Sequence, residues 1–309
     1  MKNILVLTDF SIRAEYAAEY AVHLAVKNKA NLILCNIMEI TSSFATGIEV
    51  NWPIADHLIL KNESILDLKE LEKKLHQAIS TSSEDYMPNI SLIADFGFLA
   101  DVAERIISDK SIDLVVLGSH KSNGLARFLF GSHTHSILDK LHCPVLLIPE
   151  GLKFKGLNMI VYATDLTFNC SKVINYLTVM AKPFDASISI NHISPLGIPA
   201  TKYEQSIGLS IKKELELDHS PVFYHTIKGD NVKKSLLELT GSGKVDIVAL
   251  VHKRYDFFEH LFHSSISKQM ADSGKVPLLV MPHSFSIDTS VFTNDQLDHY
   301  CYENGDLRL

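Results

Sequence analysis

The sequence predicts an α/β protein made of two tandem, doubly wound, five-stranded parallel-sheet domains, and three observations lead there. At 309 residues the chain has room for about two domains of ordinary size. It repeats itself: residues 4–10 (ILVLTDF) match 160–166 (IVYATDL) at an offset of 156. Residues 113–117 (DLVVL) match 246–250 (DIVAL), and 143–149 (CPVLLIP) match 276–282 (VPLLVMP), both at an offset of 133. Within the first copy, short apolar runs alternate with amphipathic segments, the order of strand and crossover helix in a parallel sheet. The unequal offsets give the first copy 23 additional residues, which fall within 41–90. The copies are therefore expected at 1–150 and 156–283, joined by a short linker at 150–156 (EGLKFKG) and followed by a polar, acidic tail at 284–309.

The elements of the first copy follow in order. NILVLT (3–8) is a short apolar run bounded by polar residues, as in a strand buried on both faces. Residues 12–28 set Ala14, Ala17, Ala18, Ala21, Val22 and Ala25 on one helical face, and Ser11 is placed to cap that helix. NLILCNI is the second strand, and an amphipathic helix spans 62–79. ISLIADF, DVAERIIS, DLVVLG, SHTHSILDKL and PVLLIP supply the third strand, third helix, fourth strand, fourth helix and fifth strand. Phe44, Ile48, Trp52 and Ile54, set among polar residues, fit the insertion at 41–60 either to cover the first site as a lid or to contact a partner, with packing favoured over gating.

Composition excludes several classes. With 46% hydrophobic and 21% charged residues, the chain is globular rather than disordered. The net charge of -7, from 29 basic and 36 acidic residues, argues against a general nucleic-acid binder. No apolar run approaches the roughly 18–20 residues that span a bilayer, and Asp9 interrupts the short N-terminal run that would have to serve as a signal peptide. The cysteines at 35, 143, 170 and 301 show no CxxC spacing and suit buried thiols in a reducing compartment, so a cytoplasmic protein is expected.

In doubly wound sheets, ligands bind beyond the carboxyl ends of the strands where the strand order reverses. The segments after strands one and four are therefore the candidates: Thr8-Asp9-Phe10-Ser11, and the run from Gly118 through His120, Lys121 and Gly124 to Gly131-Ser132. Gly118 leaves the crevice free of a side chain as the chain turns out of the strand. Gly131-Ser132 precedes a helix whose unpaired N–H groups and positive dipole end suit a phosphate; Ser132 either serves that site or caps the helix. GxxxxGK[ST], GxGxxG after the first strand, HxGH and SGGxDS are all missing, which excludes Walker-type and dinucleotide-type loops and argues against nucleotidyl transfer.

TDFS together with GSHKSNGLARFLFGS resembles the universal stress protein family, and the likeness extends over both copies as a tandem member. That resemblance implies an adenine-nucleotide α-hydrolase-like, Rossmann-like fold. It also implies an ATP signature of Gly, two residues, Gly, nine residues, then Gly and Ser or Thr. Here the signature reads Gly118-x-x-Lys121-x9-Gly131-Ser132, with Lys121 in place of the middle glycine. By resemblance, Thr8 and Asp9 face the adenosine and Ile37 and Leu117 line the adenine pocket. Gly118, Gly131, Ser132, His133 and Thr134 hold ribose and phosphates in the same reading, and His120, inside the glycine loop, is the histidine placed to touch a ligand. Lys121 either strains the loop or adds a charge-assisted contact to a phosphate. The ligand implied is ATP, with Mg, or AMP, and the role is stress-response regulation with at most slow ATP hydrolysis. The alternatives are a hydrolase and a ligand-free interaction module.

The second copy has lost the loop. Gly118, Lys121, Gly131 and Ser132 become Val251, Arg254, Ser264 and Ser265, so the family manner of ATP binding is not expected there, although Asp165 remains. His252, His260 and His263 have zinc-like spacing, but no cysteine or carboxylate completes a set, and solvated histidines are the favoured reading. The fifth strands, 145–148 and 278–281, would leave open apolar edges, so they are expected to pair within the chain, as universal stress domains pair by resemblance. A homodimer of whole chains is compatible with the sequence.

Overall fold

The computed structural model describes residues 1–39, 54–80, 86–119, 132–164, 171–194, 222–228, 243–251 and 276–282. The N-terminal half runs β1 (Asn3–Leu7), α1 (Ile12–Asn28), β2 (Asn31–Met38), α2 (Ile54–Ile79), β3 (Ile90–Phe96), α3 (Leu99–Lys110), β4 (Leu114–Ser119), α4 (Ser132–Lys140) and β5 (Val145–Pro149). The C-terminal half contains β6 (Met159–Thr164), α5 (Ser171–Ala181), β7 (Ser187–Ser194), β8 (Val222–Lys228), β9 (Ile247–Val251) and β10 (Leu278–Met281). All ten strands lie in one sheet, ordered β3-β2-β1-β4-β5-β10-β9-β6-β7-β8. Read outward from its centre, that order is the same in both directions, so the halves are related by a pseudo-twofold axis. Strand neighbours are parallel within each half. They are antiparallel at the joint, where Leu146 faces Leu279 and Val145 faces Val280.

Every strand of the joint is buried on both faces, which is why these segments read as continuous apolar runs. Ile4 and Val6 point into the core under α1, α2 and α5. Leu5 and Leu7 point into the core under α3 and α4. Along α1, Ala17, Ala18, Ala21 and Ala25 are fully buried, and their small side chains let the helix lie close to the sheet. The length difference between halves falls where the sequence placed it: β7 begins 156 residues after β2, but β8 begins 132 after β3.

Two local expectations are corrected. The second helix begins at Ile54 rather than 62, because the 54–61 stretch contains no breaker after Pro53. Part of the expected cover is thus helix, and its His57 stacks on Phe96 at a centroid distance of 4.8 Å. Phe44, Ile48 and Trp52 lie outside the described residues. Ser11 is the N-cap of α1 through its backbone, whose carbonyl accepts from the Glu15 N–H at 3.0 Å, but its side chain makes no cap bond. The Ser11 hydroxyl donates instead to Asp9 Oδ1, a nearer and charged acceptor.

The repeat is also visible in hydrogen bonding. Asp113 Oδ2 accepts from the Lys2 and Asn3 N–H groups at 2.5 and 3.0 Å. Asp246 Oδ2 accepts from Asn158 and Met159 at 2.6 and 2.9 Å. The Asp that opens DLVVL and DIVAL therefore ties the start of the first strand to the start of the fourth in each half.

The halves exchange contacts across the joint. The Tyr176 hydroxyl of α5 donates to the Asp113 carbonyl at 2.9 Å. Tyr20 of α1, which lies 156 residues earlier, is influenced in turn by Asp246 of the C-terminal half. Phe154, within the expected linker, packs edge-on against Tyr20 at 5.0 Å, stacks on His23 at 5.1 Å and reaches Phe184 at 6.0 Å. The linker is thus part of the packing.

Burial, followed by Asp246, raises the Tyr20 pKa; burial, followed by Cys143 and Asp113, raises that of Tyr176. Burial also pushes the Cys35 thiol up to about 12. A group whose folded pKa is raised contributes stability below its unfolded value and loses it as pH climbs toward the folded one. Stability is therefore expected to fall from about pH 8.5–10 upward, the range in which unfolded thiols and phenols ionise. Urea midpoints measured across that range should show the decline, and Tyr176→Phe should make it shallower. An unchanged slope would contradict the assignment.

Candidate functional site

The order β2-β1-β4 makes the gap between β1 and β4 the place where the chain reverses direction across the sheet. Crevices for ligands open at such points, beyond the strand carboxyl ends. Leu7 pairs with Leu117, so Thr8, just past the end of β1, lies beside Gly118, which is still within β4 and paired with Ile148.

On the β1 side, backbone and side chains are fixed by local hydrogen bonds. Thr8 is buried; its N–H donates to the Cys35 carbonyl at 2.9 Å and its Oγ1 accepts from the Phe10 N–H at 3.0 Å. Phe10 adopts φ 59°, a left-handed turn that re-aims the chain into α1. Asp9 is exposed, and its Oδ1 accepts from the Ser11 N–H at 3.1 Å as well as from the hydroxyl. Its Oδ2 accepts from Arg13 Nη2 at 2.5 Å. Burial acts to raise the Asp9 pKa, but the bonds from Ser11 and Arg13, with the Arg13 charge, outweigh it and hold the carboxyl below its ordinary range.

Beneath this turn lies a polar chain that sequence reasoning missed. Asn36 Nδ2 donates to the Thr8 carbonyl at 2.8 Å, and Asn36 Oδ1 accepts from the Ser64 hydroxyl at 2.9 Å. Both residues are buried, so α2 is tied through Asn36 to the turn that follows β1. Ser64→Ala would leave Asn36 Oδ1 without that donor and is expected to cost about 1–3 kcal/mol. A urea midpoint within error of the wild type would contradict this.

On the β4 side, Gly118 has a different reason from the one its position suggested. Its φ is not positive among the described backbone angles, so no sharp glycine turn is involved. A Cβ at 118 would lie 2.4 Å from the Arg13 carbonyl oxygen and 2.9 Å from the Ala14 N. The glycine lets the first turn of α1 rest directly on β4. In the C-terminal half, Val251 fills the equivalent place with a side chain packed against the same core. Leu117 is buried and Ile37 partly buried in the opposite core, which makes them an apolar wall below the strand ends. Ser119 Oγ is buried without a hydrogen-bond partner in the structure, at the point where β4 ends.

The structure therefore brings Thr8, Asp9, Ile37, Leu117 and Gly118 to one end of the β2-β1-β4 strands. His120, Lys121 and Gly131 lie outside the described residues, as do His252, His260 and His263. Ser132, His133 and Thr134 form the start of α4, with only their backbone described. Cys35 and Cys143 are buried free thiols. Among the described residues, no helix is long and apolar enough to cross a membrane.

An α/β protein with a doubly wound half-sheet, a strand-order reversal between its first and fourth strands and a second half of matching strand order is thereby defined. Residues 1–149 belong to the universal stress protein family. The family profile, described as the universal stress protein family, matches residues 1–149. Universal stress protein Slr1230 of Synechocystis is 23% identical over 305 residues, spanning 90% of this chain and 99% of the relative. Universal stress protein MJ0531 of Methanocaldococcus jannaschii is 26% identical over 152 residues, covering 49% of this chain and 84% of its own length. In structure, a universal stress protein from Archaeoglobus fulgidus superposes with a TM-score of 0.61 at 14% identity, over 91% of this chain and 98% of that one. That likeness is one of fold.

Proposed function

We propose that the N-terminal half, 1–150, is a universal stress protein domain that binds an adenine nucleotide, ATP with Mg or AMP, in the crevice between β1 and β4. The C-terminal half, 156–283, is read as a degenerate domain that completes the sheet, and the whole as a cytoplasmic stress-response regulator. The observation that carries the reading is the juxtaposition of the Asp9 turn with the end of β4 across the strand-order reversal. In this reading Asp9 accepts a hydrogen bond from the adenosine, while Ile37 and Leu117 line the apolar side. Ser119, whose hydroxyl is otherwise unpartnered, offers a donor to ribose or phosphate. Ser132, His133 and Thr134 at the start of α4 would hold phosphates, together with His120, Lys121 and Gly131, which precede them in sequence. The chemistry is binding rather than turnover. Both oxygens of Asp9 are already engaged, which suits a fixed acceptor better than a base that must take up a proton.

Calorimetric titration of the full chain with MgATP and with AMP tests the reading. A saturable heat is expected, together with a thermal shift. Ligand at about 100 times its Kd should stabilise the fold by about 2.7 kcal/mol. No heat and no shift at millimolar nucleotide would sink it.

A further inference from the structure

Arg13 joins the two sides of the crevice. Its backbone rests on Gly118, where a Cβ would come within 2.4 Å of the Arg13 carbonyl oxygen. Its guanidinium reaches Asp9 Oδ2 at 2.5 Å, with the two side chains 28% and 52% exposed. Helix stability does not explain this placement. Arg13 sits in the first turn of α1, where a positive charge opposes the helix dipole. An exposed i,i+4 ion pair also contributes little to stability. What the pair does accomplish is orientation. Ser11 holds one carboxylate oxygen and Arg13 the other, while Phe10 in its left-handed turn fixes the backbone between them. The remaining lone pair of Asp9, on Oδ2, is thereby aimed by the same residue whose backbone position is set by β4. A planar guanidinium orients a carboxylate in a way that a flexible ammonium does not.

We propose that Arg13 is a positioning residue of the nucleotide site, fixing the Asp9 carboxylate so that Oδ2 accepts a hydrogen bond from an amine or hydroxyl donor of an adenosine moiety. The assignment rests on the nucleotide reading given above. Among the described residues, Arg13 is the charged group acting on Asp9, and the hydrogen bonds of Ser11 act beside it. Removing Arg13 therefore has two consequences: the acceptor loses its fixed direction, and the carboxyl takes up a proton at a higher pH.

The test uses the full chain, with Arg13→Gln removing the charge and Arg13→Lys keeping it without the fork. Binding of adenosine and of MgATP is measured by calorimetry as a function of pH, and the Asp9 carboxyl is titrated by NMR in the absence of ligand. Arg13→Gln should weaken both ligands by about tenfold, the size expected when one charge-assisted contact is lost. It should also move the acid limb of the binding profile and the Asp9 titration to higher pH, and Arg13→Lys should restore the titration more fully than the affinity. Three results overturn the assignment alone: unchanged affinity in Arg13→Gln, an unmoved Asp9 titration, or a loss confined to MgATP. The last would mean that Arg13 touches phosphate instead. A wild type that binds neither ligand overturns the nucleotide site and this assignment with it, a result distinguishable from the others because it appears before any substitution is made.

Discussion

Leu279→Asp is expected to abolish the cooperative unfolding transition of the joined sheet, with a cost above about 4 kcal/mol, the range reserved for a buried unpaired charge. Leu279 is fully buried and faces Leu146, also fully buried, across the antiparallel pairing of β10 with β5. A carboxylate there would have no cation or water to meet it, and both sides of the joint would lose their closest apolar contact. Leu279→Ala removes the packing without adding charge and should cost about 2–5 kcal/mol. Urea unfolding followed by circular dichroism separates the two. The expected order is wild type, then Ala, then Asp, with the Asp variant also exposing apolar surface to a dye. If Leu279→Asp unfolds within about 0.5 kcal/mol of the wild type, the ordinary scatter of surface substitutions, the joint does not hold the halves together.

Gly118→Val should be the second most damaging change, although it places an ordinary strand residue in a strand. Its Cβ would fall 2.4 Å from the Arg13 carbonyl oxygen and 2.6 Å from the carbonyl carbon, and both are backbone atoms that cannot rotate away. Either α1 lifts from β4 or the strand end shifts. The cost is expected at or above the upper end of the roughly 1–3 kcal/mol typical of overpacking. Lifting α1 also disturbs the Arg13–Asp9 pair, so the Asp9 carboxyl should titrate closer to its ordinary range in the variant. Gly118→Ala carries the same Cβ and should show most of the effect. A wild-type melting temperature in both variants would show that the helix does not need its close seat. The C-terminal half already carries Val251 in this position, packed against the core. The two halves have therefore solved the same strand–helix crossing differently.

The strands were legible in the sequence because burial on both faces leaves uninterrupted apolar runs such as ILVL and VLLI. The repeat then supplied the order of elements, and the edge argument supplied the partner of β5. The site was partly legible. Thr8, Asp9 and Gly118 follow from one rule about strand ends, which depends only on topology. Arg13, Asn36 and Ser64 were not, because their importance lies in a partner brought from elsewhere: a carboxylate one helical turn back, a carbonyl on the next strand, an amide across two elements. A weak signal did exist for the contact between halves. The offset of 156 that relates the first strands also relates Tyr20 to Tyr176. Neither tyrosine has meaning until the helices that carry them lie against the opposite half.

By itself, the sequence determined that this protein has two copies of one α/β unit, that the longer carries Gly118 and Gly131-Ser132 and that the shorter has Val251 and Ser264-Ser265 in their places. Those properties depend on periodicity and residue type, which survive without coordinates. Only the tertiary structure decided why Gly118 must be glycine. At that point the constraint is a helix backbone a few ångströms away, and a distance between segments remote in sequence leaves no local pattern to read. It also joined the two units into one ten-stranded sheet, since hydrophobic burial rewards closing an open edge but says nothing of register, and the opposition of Leu146 to Leu279 is a matter of geometry.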